Sequence, residues 1–274
     1  MADVSAVFVT QYQAEVHVAY QQGGSKLRNS VRLKTGVTGS KTSFTKVGKG
    51  EANQKTRHGD VTPMNLDHAP VECALSDWYA PDYVDKLDEF KIQYDERRVL
   101  VQSGGSAVGR KVDALIITAA VTGLPAGQVT GNGGLPLDLD MVMEGFALLN
   151  AGEVPDDGQR FCVVGAKQWN QLLKIEQFAK ADYVGDAHPW LKGTESRRWL
   201  NTTWILHNAL PQANGGTKCV WYHKTALGLG ENSTGIISEI NYVPQKVAYL
   251  CNNMIGAGAC RIDDTGVVVM HAQN

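Results

Sequence analysis

The chain has 274 residues, of which 43% are hydrophobic and 20% charged, a composition that supports a buried core and excludes disorder throughout. Its 26 basic residues nearly balance its 28 acidic ones, so net charge indicates no attraction to nucleic acid or to an anionic membrane. Five scattered cysteines with no Cys-x-x-Cys pair favour a reducing cytoplasm over a disulfide framework or a zinc site.

The N-terminal segment predicts a short amphipathic helix. Phe8, Tyr12, Val16 and Tyr20 recur every fourth residue and so share one helical stripe, which ends near Gly23-Gly24. The segment has no basic region before its apolar residues, and no uncharged run of the chain is apolar enough to span a bilayer. We therefore expect neither a secretory signal nor contact with a membrane.

Residues 25–65 have too few hydrophobic side chains to build a core. Phe44, Val47 and Val61 are widely separated among polar residues and glycines. This pattern predicts an extended, two-stranded excursion that is closed by a strand over residues 71–75.

Charge is distributed unevenly along this first third of the chain. From Gly24 to His58 nine basic residues face one acid, for a local charge near +8. From Gly59 to Leu100 ten acids face four basic residues, for a local charge near −6. Such a pair of segments could contact phosphates, or it could make complementary contacts between copies of the protein.

Residues 81–120 predict a long helix, because Pro81 suits a first turn and acids cluster towards its start. We place Leu100, Val108, Val112 and Leu115 on its buried face. The small residues from Gly104 to Ala107 favour a break or kink, the alternative being close approach of another backbone.

The rest of the chain predicts an α+β arrangement after a loop at residues 124–136. Helices are expected at 139–151 and 166–179. Strands are expected at 161–164, 202–206, 218–222, 236–241, 246–251 and 266–271.

The candidate motifs for catalysis and cofactor binding do not have the residue spacing that those motifs require. The run from Gly36 to Thr42 lacks the adjacent Gly-Lys of a phosphate-binding loop, and Val108 replaces the second glycine of a nucleophile elbow around Ser106. The seven histidines form no ligand pair. We expect no enzyme activity, no cofactor and no metal.

Several runs, in their order along the chain, resemble the major capsid proteins of tailed bacteriophages. The resemblance covers about residues 40 to 273, and it depends on the ordered series because no single motif is diagnostic. The runs are Arg57 to Pro63, Leu75 to Tyr79, Val84 to Asp88, Ala107 to Ile117, Val163-Val164 with Gln168 and Leu172-Leu173, Asp182-Tyr183, Trp221 to Ala226, and Gly258 to Asp263.

The resemblance implies the tailed-phage major capsid fold, which encapsulins and the herpesvirus capsid floor share. It implies an N-terminal arm (1–40), an extended β-hairpin loop (41–77), a peripheral domain with a long spine helix (78–125), an axial domain (126–235) and a return into the peripheral domain (236–274).

The resemblance also implies a function. Copies would self-assemble into hexamers and pentamers of an icosahedral head, in the host cytoplasm, with a separate scaffolding protein, a portal protein at one vertex and packaged double-stranded DNA contacted non-specifically. The alternatives are an encapsulin-like compartment shell and, from another class, a nucleic-acid-binding module that uses the basic segment.

The charge pattern then predicts which residues meet between subunits. The extended loop would present five basic side chains to a helix of a neighbour that carries four acids. The basic residues are Lys41, Lys46, Lys49, Lys55 and Arg57, and the acidic ones are Asp82, Asp85, Asp88 and Glu89.

Overall fold

The structure is a computed structural model that describes residues 21–88, 95–179 and 196–274. The predicted N-terminal helix and Glu89 lie outside these residues. The described chain contains a long helix, a five-stranded sheet, a seven-stranded sheet and a two-stranded ribbon. Within it, no helix has both the length and the apolar character that crossing a membrane requires.

The long helix, α1, spans Glu96–Val121 and has 26 residues, so it is about 39 Å long. Asp95 caps its start by accepting a hydrogen bond from the backbone N–H of Arg98. The helix therefore begins later than predicted. The region of the predicted first turns is a strand, β4 (Ser76–Asp85), in which Trp78, Ala80 and Val84 alternate with more exposed side chains.

The predicted break in α1 is wrong. The alternative, in which another backbone approaches the helix closely, is correct. The helix is continuous through Gly104 and Gly109. A β-carbon at Gly104 would lie 3.2 Å from the Ala80 carbonyl oxygen, and one at Gly109 would lie 2.7 Å from the Cα of Gly24. These glycines let neighbouring backbone pack directly on the helix.

The five-stranded sheet is organised around one long strand, β13 (Ala248–Arg261). On one side of β13 lie β11 (Leu227–Glu231) and then β12 (Ile237–Val243), and β4 pairs along the other side. Strand β1 (Arg32–Lys34) pairs in parallel with β11. The pattern had not predicted β11, whose glycines weaken its signal as a strand.

The seven-stranded sheet forms the larger part of the core. Its order is β5 (Val129–Thr130), β14 (Val267–Gln273), β10 (Gly216–His223), β6 (Arg160–Val164), β8 (Thr202–Leu206) and β7 (Ser196–Trp199), with β9 (Gln212–Ala213) on β10. Because β14 pairs with β10, the last strand of the chain belongs to this sheet.

Helix α2 (Leu139–Ala151) and strand β8 have the predicted bounds. The helix predicted over 166–179 is divided into α3 (Ala166–Leu172) and α4 (Glu176–Ala179). Edge-on ring contacts join Phe178 of α4 to Trp169, Trp199 and Trp204 at centroid distances of 5.3–5.8 Å. The bend in the helix therefore brings Phe178 into an aromatic core.

Candidate functional site: the ribbon and the sheet that carries it

Residues 41–74 form a ribbon that leaves the body of the protein. Strands β2 (Lys41–Val47) and β3 (His68–Ala74) pair antiparallel, from Lys41 opposite Ala74 to Val47 opposite His68. We call residues 48–67 the tip. Almost every tip residue is exposed, including Val61 at 75% and Met64 at 53%. The predicted two-stranded excursion is confirmed.

The base of the ribbon has a small core of its own, which the sequence had not predicted. Phe44 and Cys73 are 3% and 1% exposed and pack with Ile262, beside Val71 and Cys260. Phe44, which is isolated in the sequence, is thus buried in part by residues that lie more than 200 positions away in the chain. Among the residues that the structure describes, the tip has no comparable buried cluster. The base of the ribbon is therefore packed against the body of the protein, whereas the tip is exposed to solvent.

The ribbon base rests on a glycine track, which we define as Gly228, Gly230 and Gly258. A β-carbon at Gly228 would lie 2.7 Å from the Phe44 ring, and one at Gly230 would lie 2.8 Å from Cγ2 of Thr42. At Gly258 it would overlap the carbonyl oxygen of Ala74. The missing side chains let the ribbon lie directly on β11 and β13.

Three of the five predicted contact lysines and arginines are paired within the chain. Lys41 pairs with Glu72 across the ribbon at 2.9 Å, Lys46 pairs with Asp263 at 2.9 Å, and Lys49 pairs with Glu153. Burial raises the pKa of Asp263, but hydrogen bonds from Lys46 and Thr265 outweigh it, and the net pKa lies below the usual aspartate value.

The remaining two basic residues, Lys55 and Arg57, lie in the exposed tip, and neither forms an ion pair with any residue that the structure describes. The basic charge available to a partner is therefore concentrated at the tip. Charge counting along the chain could not separate these residues from the three paired lysines, because two of the acids that pair with those lysines, Asp263 and Glu153, lie far away in sequence.

The predicted acidic helix is a strand and a turn. Asp82 and Asp85 lie on β4, where alternation places them on opposite faces of the sheet, and Asp88 lies in the following turn. The Asp82 and Asp85 carboxylates accept hydrogen bonds from the backbone N–H groups of Tyr83 and Leu87, each at 2.8 Å. Glu89 lies outside the described residues. Asp82, Asp85 and Asp88 therefore do not lie on the helix that we predicted.

Strand β4 belongs to a sheet with one covered and one exposed face. Helix α1 covers the first face, where Lys111 lies 3.9 Å above the Trp78 ring and Arg97 lies 3.7 Å above the Tyr249 ring. On the opposite face the cross-strand register aligns a set of apolar side chains, which we call the apolar face: Tyr79, Tyr83, Ile237, Leu250 and Met254.

The apolar face is open to solvent. Tyr79 is 61% exposed, Tyr83 42% and Ile237 39%. A contiguous set of exposed apolar side chains on a regular sheet is typical of a protein interaction surface. The sequence had not indicated it, because these residues come from three separate strands.

The segment before β1 is held in place by buried charge. The Asp113 carboxylate of α1 is fully buried and accepts hydrogen bonds from Ser25 Oγ (2.5 Å) and from the backbone N–H groups of Lys26 (3.0 Å) and Leu27 (3.1 Å). His207 Nε2 lies 3.2 Å from the same carboxylate. Burial alone raises the pKa of Asp113, but bonds from His207, Ser25 and the two amides lower it below its ordinary value.

The structure places the sequence features that we considered for catalysis as follows. Ser106 lies inside α1 and donates its hydroxyl to the Gln102 carbonyl, and His223 lies 3.1 Å from Asp157. Residues 41–47, at the end of the glycine-rich run, continue as a strand and not as a helix. In the described part of the chain, no group of three or more histidine, cysteine, aspartate or glutamate side chains is placed to hold a metal ion.

Comparison with known proteins gives a consistent result. Residues 4–273 match the model of a family described as phage capsid protein. No curated protein matches the chain. The fold is similar to that of the capsid of Ralstonia phage GP4, with a TM-score of 0.71, 12% identity, and coverage of 98% of this chain and 96% of that one.

Two further capsid structures are similar over their whole lengths. The capsid of cyanophage P-SCSP1u gives a TM-score of 0.68 at 18% identity, covering 98% of this chain and 94% of that one. The capsid of the native GTA particle, computed with C5 symmetry, gives a TM-score of 0.70 at 12% identity and covers 100% of this chain and 98% of that one.

Proposed function

Because the chain belongs to the phage capsid protein family and is a major capsid protein, we propose that its copies assemble into hexamers and pentamers of an icosahedral head that encloses double-stranded DNA. The similar capsid of the native GTA particle, computed with C5 symmetry, supports the pentamers. Family membership implies a structural role, and we propose that the chain has no catalytic activity.

The observation that carries this proposal is the contrast between the two ends of the ribbon. The base is seated on the glycine track and buried, whereas the tip exposes apolar and basic side chains together. An isolated two-stranded ribbon is marginal in water, and an apolar tip at its end gains stability only when another surface covers it. A neighbouring copy supplies such a surface in a closed shell.

We propose that the ribbon of one copy lies across the β4 side of the next. The tip offers Lys55 and Arg57, and β4 offers Asp82, Asp85 and the turn residue Asp88 at the edge of its sheet. Ribbon and edge strand are different surfaces, so the contact is heterologous, and heterologous contacts that rotate by a fixed angle close into rings. Lys46 and Lys49 already pair with Asp263 and Glu153 in the body of their own chain and favour one starting orientation of the ribbon, whereas Lys41 pairs with Glu72 inside the ribbon.

The charge contacts determine how two subunits are oriented, but they contribute little to the free energy of association. An exposed ion pair contributes only about 0–1 kcal/mol. Strength comes from apolar area such as Tyr79 and Tyr83 on the apolar face, together with Val61 and Met64 of the tip. Many weak contacts made at once by each subunit then hold the shell together.

We propose three further partners and a place of assembly. A separate scaffolding protein guides assembly in the host cytoplasm, a portal protein occupies one vertex, and packaged DNA is contacted without sequence preference. The near-neutral net charge of −2 agrees with weak, non-specific DNA contact.

The test is expression of the full chain with and without the scaffolding protein of the same phage, followed by negative-stain electron microscopy. We expect rings with six-fold and five-fold symmetry and closed shells of uniform diameter. Monomers that bind DNA tightly, with affinity that falls steeply with salt, would favour the nucleic-acid-binding alternative. Shells that copurify with a protein cargo would favour the compartment alternative.

A further inference from the structure

Two of the five cysteines lie together where the ribbon meets the body of the protein. Cys73 is on β3 of the ribbon, and Cys260 is on β13 of the five-stranded sheet. Cys73 is part of the small core that contains Phe44 and Ile262, and Cys260 packs against that core. Both cysteines are free thiols in this structure.

The glycine track explains why the two sulfur atoms can meet. Cys260 lies opposite Gly228, and Gly258 lies opposite Gly230, in the pairing of β13 with β11. The sulfur of Cys73 lies 3.9 Å from where a β-carbon of Gly230 would be. Because the glycines place no side chain between ribbon and sheet, the thiol of one strand reaches the thiol of the other.

The pair also differs from the other cysteines in reactivity. Cys162 and Cys219 are completely buried, and burial raises the pKa of Cys219 to about 12, so these thiols stay protonated. At the ribbon base, the interaction with the Cys260 thiol lowers the pKa of Cys73, although burial opposes this change. The same interaction and burial raise the pKa of Cys260, so Cys73 is the more acidic thiol of the pair. Cys260 is half-buried, so a small reagent approaches the pair from its side.

We propose that Cys73 and Cys260 form an intrachain disulfide under oxidising conditions and so fasten the ribbon covalently to β13. The oxidant is a small disulfide. One of the two cysteines, as its thiolate, attacks one sulfur of the reagent and releases the other, which takes up a proton and leaves as a thiol, so that a mixed disulfide remains. The other cysteine, after losing its proton to solvent, then attacks the protein sulfur of the mixed disulfide and releases the second thiol. The protein loses two hydrogens, and the reagent gains them.

The bond constrains the base of the ribbon and leaves the tip free. The disulfide would close a loop of most of the chain, which in the chain-entropy account gives a large stabilisation relative to the unfolded state. It also holds the ribbon in one orientation before a partner is met, and this reduces the ordering cost of association. Reduction returns the pair to the two free thiols of this structure.

The test uses the purified full chain, incubated with hydroxyethyl disulfide, then alkylated and digested without reduction. We expect a peptide pair linking Cys73 to Cys260, a protein mass lower by about two hydrogens, and a melting temperature raised by about 5 °C or more, which returns to its starting value with reductant. Cys260→Ser should abolish the linked peptide, and Cys251→Ser, a buried cysteine on the same strand, should keep it.

Three outcomes would overturn the proposal, and each is read on wild-type protein, so that the folding of the variants does not decide it. The first is that Cys73 and Cys260 both remain alkylatable after prolonged oxidation. The second is a linked peptide that joins a different pair of cysteines. The third is a covalent dimer on a non-reducing gel in place of an intrachain bond. None of these outcomes depends on whether shells form, so the proposed function is judged separately.

Discussion

The guanidinium of Arg28 and the carboxylate of Glu231 form a two-point ion pair, with Nε 2.8 Å from Oε1 and Nη2 2.7 Å from Oε2. Glu231 is completely buried at the end of β11, whereas the Arg28 side chain is 29% exposed. The hydrogen bond with Glu231 raises the pKa of Arg28, although burial opposes the change. The pair joins the segment before β1 to the strand that carries part of the glycine track.

Arg28→Ala should destabilise the subunit strongly, because it leaves a buried carboxylate without its partner. The expected loss is about 3 kcal/mol, in the range measured for broken buried pairs. Chemical denaturation of the purified subunit gives this value. Lys41→Ala removes a lysine whose pair with Glu72 is exposed and is the matched control, with an unchanged denaturation midpoint. Equal losses in both variants would show that burial does not matter here.

Gly258→Ala should displace the base of the ribbon, because the added β-carbon overlaps the Ala74 carbonyl oxygen. Backbone cannot move aside as a flexible side chain can, so we expect a cost of about 1–3 kcal/mol and faster trypsin cleavage after Lys46. Gly127→Ala is the control, since no atom lies within 4 Å of its added β-carbon. A Gly258→Ala subunit with wild-type stability and cleavage rate would contradict the seating of the ribbon on β13.

Ile116→Ala should cost about 2–5 kcal/mol, because this α1 side chain is 1% exposed in the main core. The neighbouring Leu115 is only half-buried, so Leu115→Ala should cost clearly less, although the sequence pattern placed Leu115 on the buried face of the helix. Denaturant midpoints with unchanged slopes provide the comparison. A larger loss for Leu115→Ala would mean that the buried face of α1 is wrongly assigned.

The Asp113 site predicts a dependence of stability on pH. The folded-state pKa of Asp113 is lowered from its ordinary value of 3.8, so the carboxylate stabilises the fold fully above that value. The contribution is lost as the pH falls below 3.8 and passes through the lowered pKa. Thermal melts of wild type and Asp113→Asn should therefore differ most near neutral pH and converge in acid. A gap that stays constant from neutral pH into acid would exclude this role for the ionised carboxylate.

Trypsin should cut the free subunit first in the tip, after Lys49, Lys55 and Arg57, and later after Lys46. The tip residues are exposed and outside any strand, whereas Lys46 is held in β2 and paired with Asp263. Assembly should protect the tip, because a neighbouring subunit covers it. Mass spectrometry of fragments from subunits and shells measures both effects. Equal cleavage rates in the two states would exclude a contact between the tip and a neighbour.

Lys55→Glu together with Arg57→Glu should prevent shell formation without changing subunit stability, since both residues are exposed and unpaired within the described chain. Electron microscopy and a thermal melt measure the two properties. The matched control is Lys41→Glu combined with Glu72→Lys, which exchanges a pair inside the ribbon and leaves the tip charge as it was. Shells of normal size from the tip variant would contradict the predicted charge contact.

The sequence by itself determined the elements that depend on local pattern. Periodicity placed α2 and β8 at their observed bounds, and sparse hydrophobic residues with dense lysine and glycine predicted the ribbon. The ordered motifs indicated the capsid family, which the family match over residues 4–273 confirms. These features are encoded by neighbours along the chain, so a single sequence carries them.

The interactions between residues that are distant in the sequence were decided by the tertiary structure alone. Residues 81–85 became strand β4 because β13 offers them a pairing partner, and backbone pairing in a sheet outweighs the local helix signals of Pro81 and the following acids. Phe44 is buried only because Gly228 leaves space for its ring, and Lys46 is paired only because Asp263 lies beneath it. Burial and charge pairing are properties of contacts between separate segments, and these contacts exist only after the chain has folded.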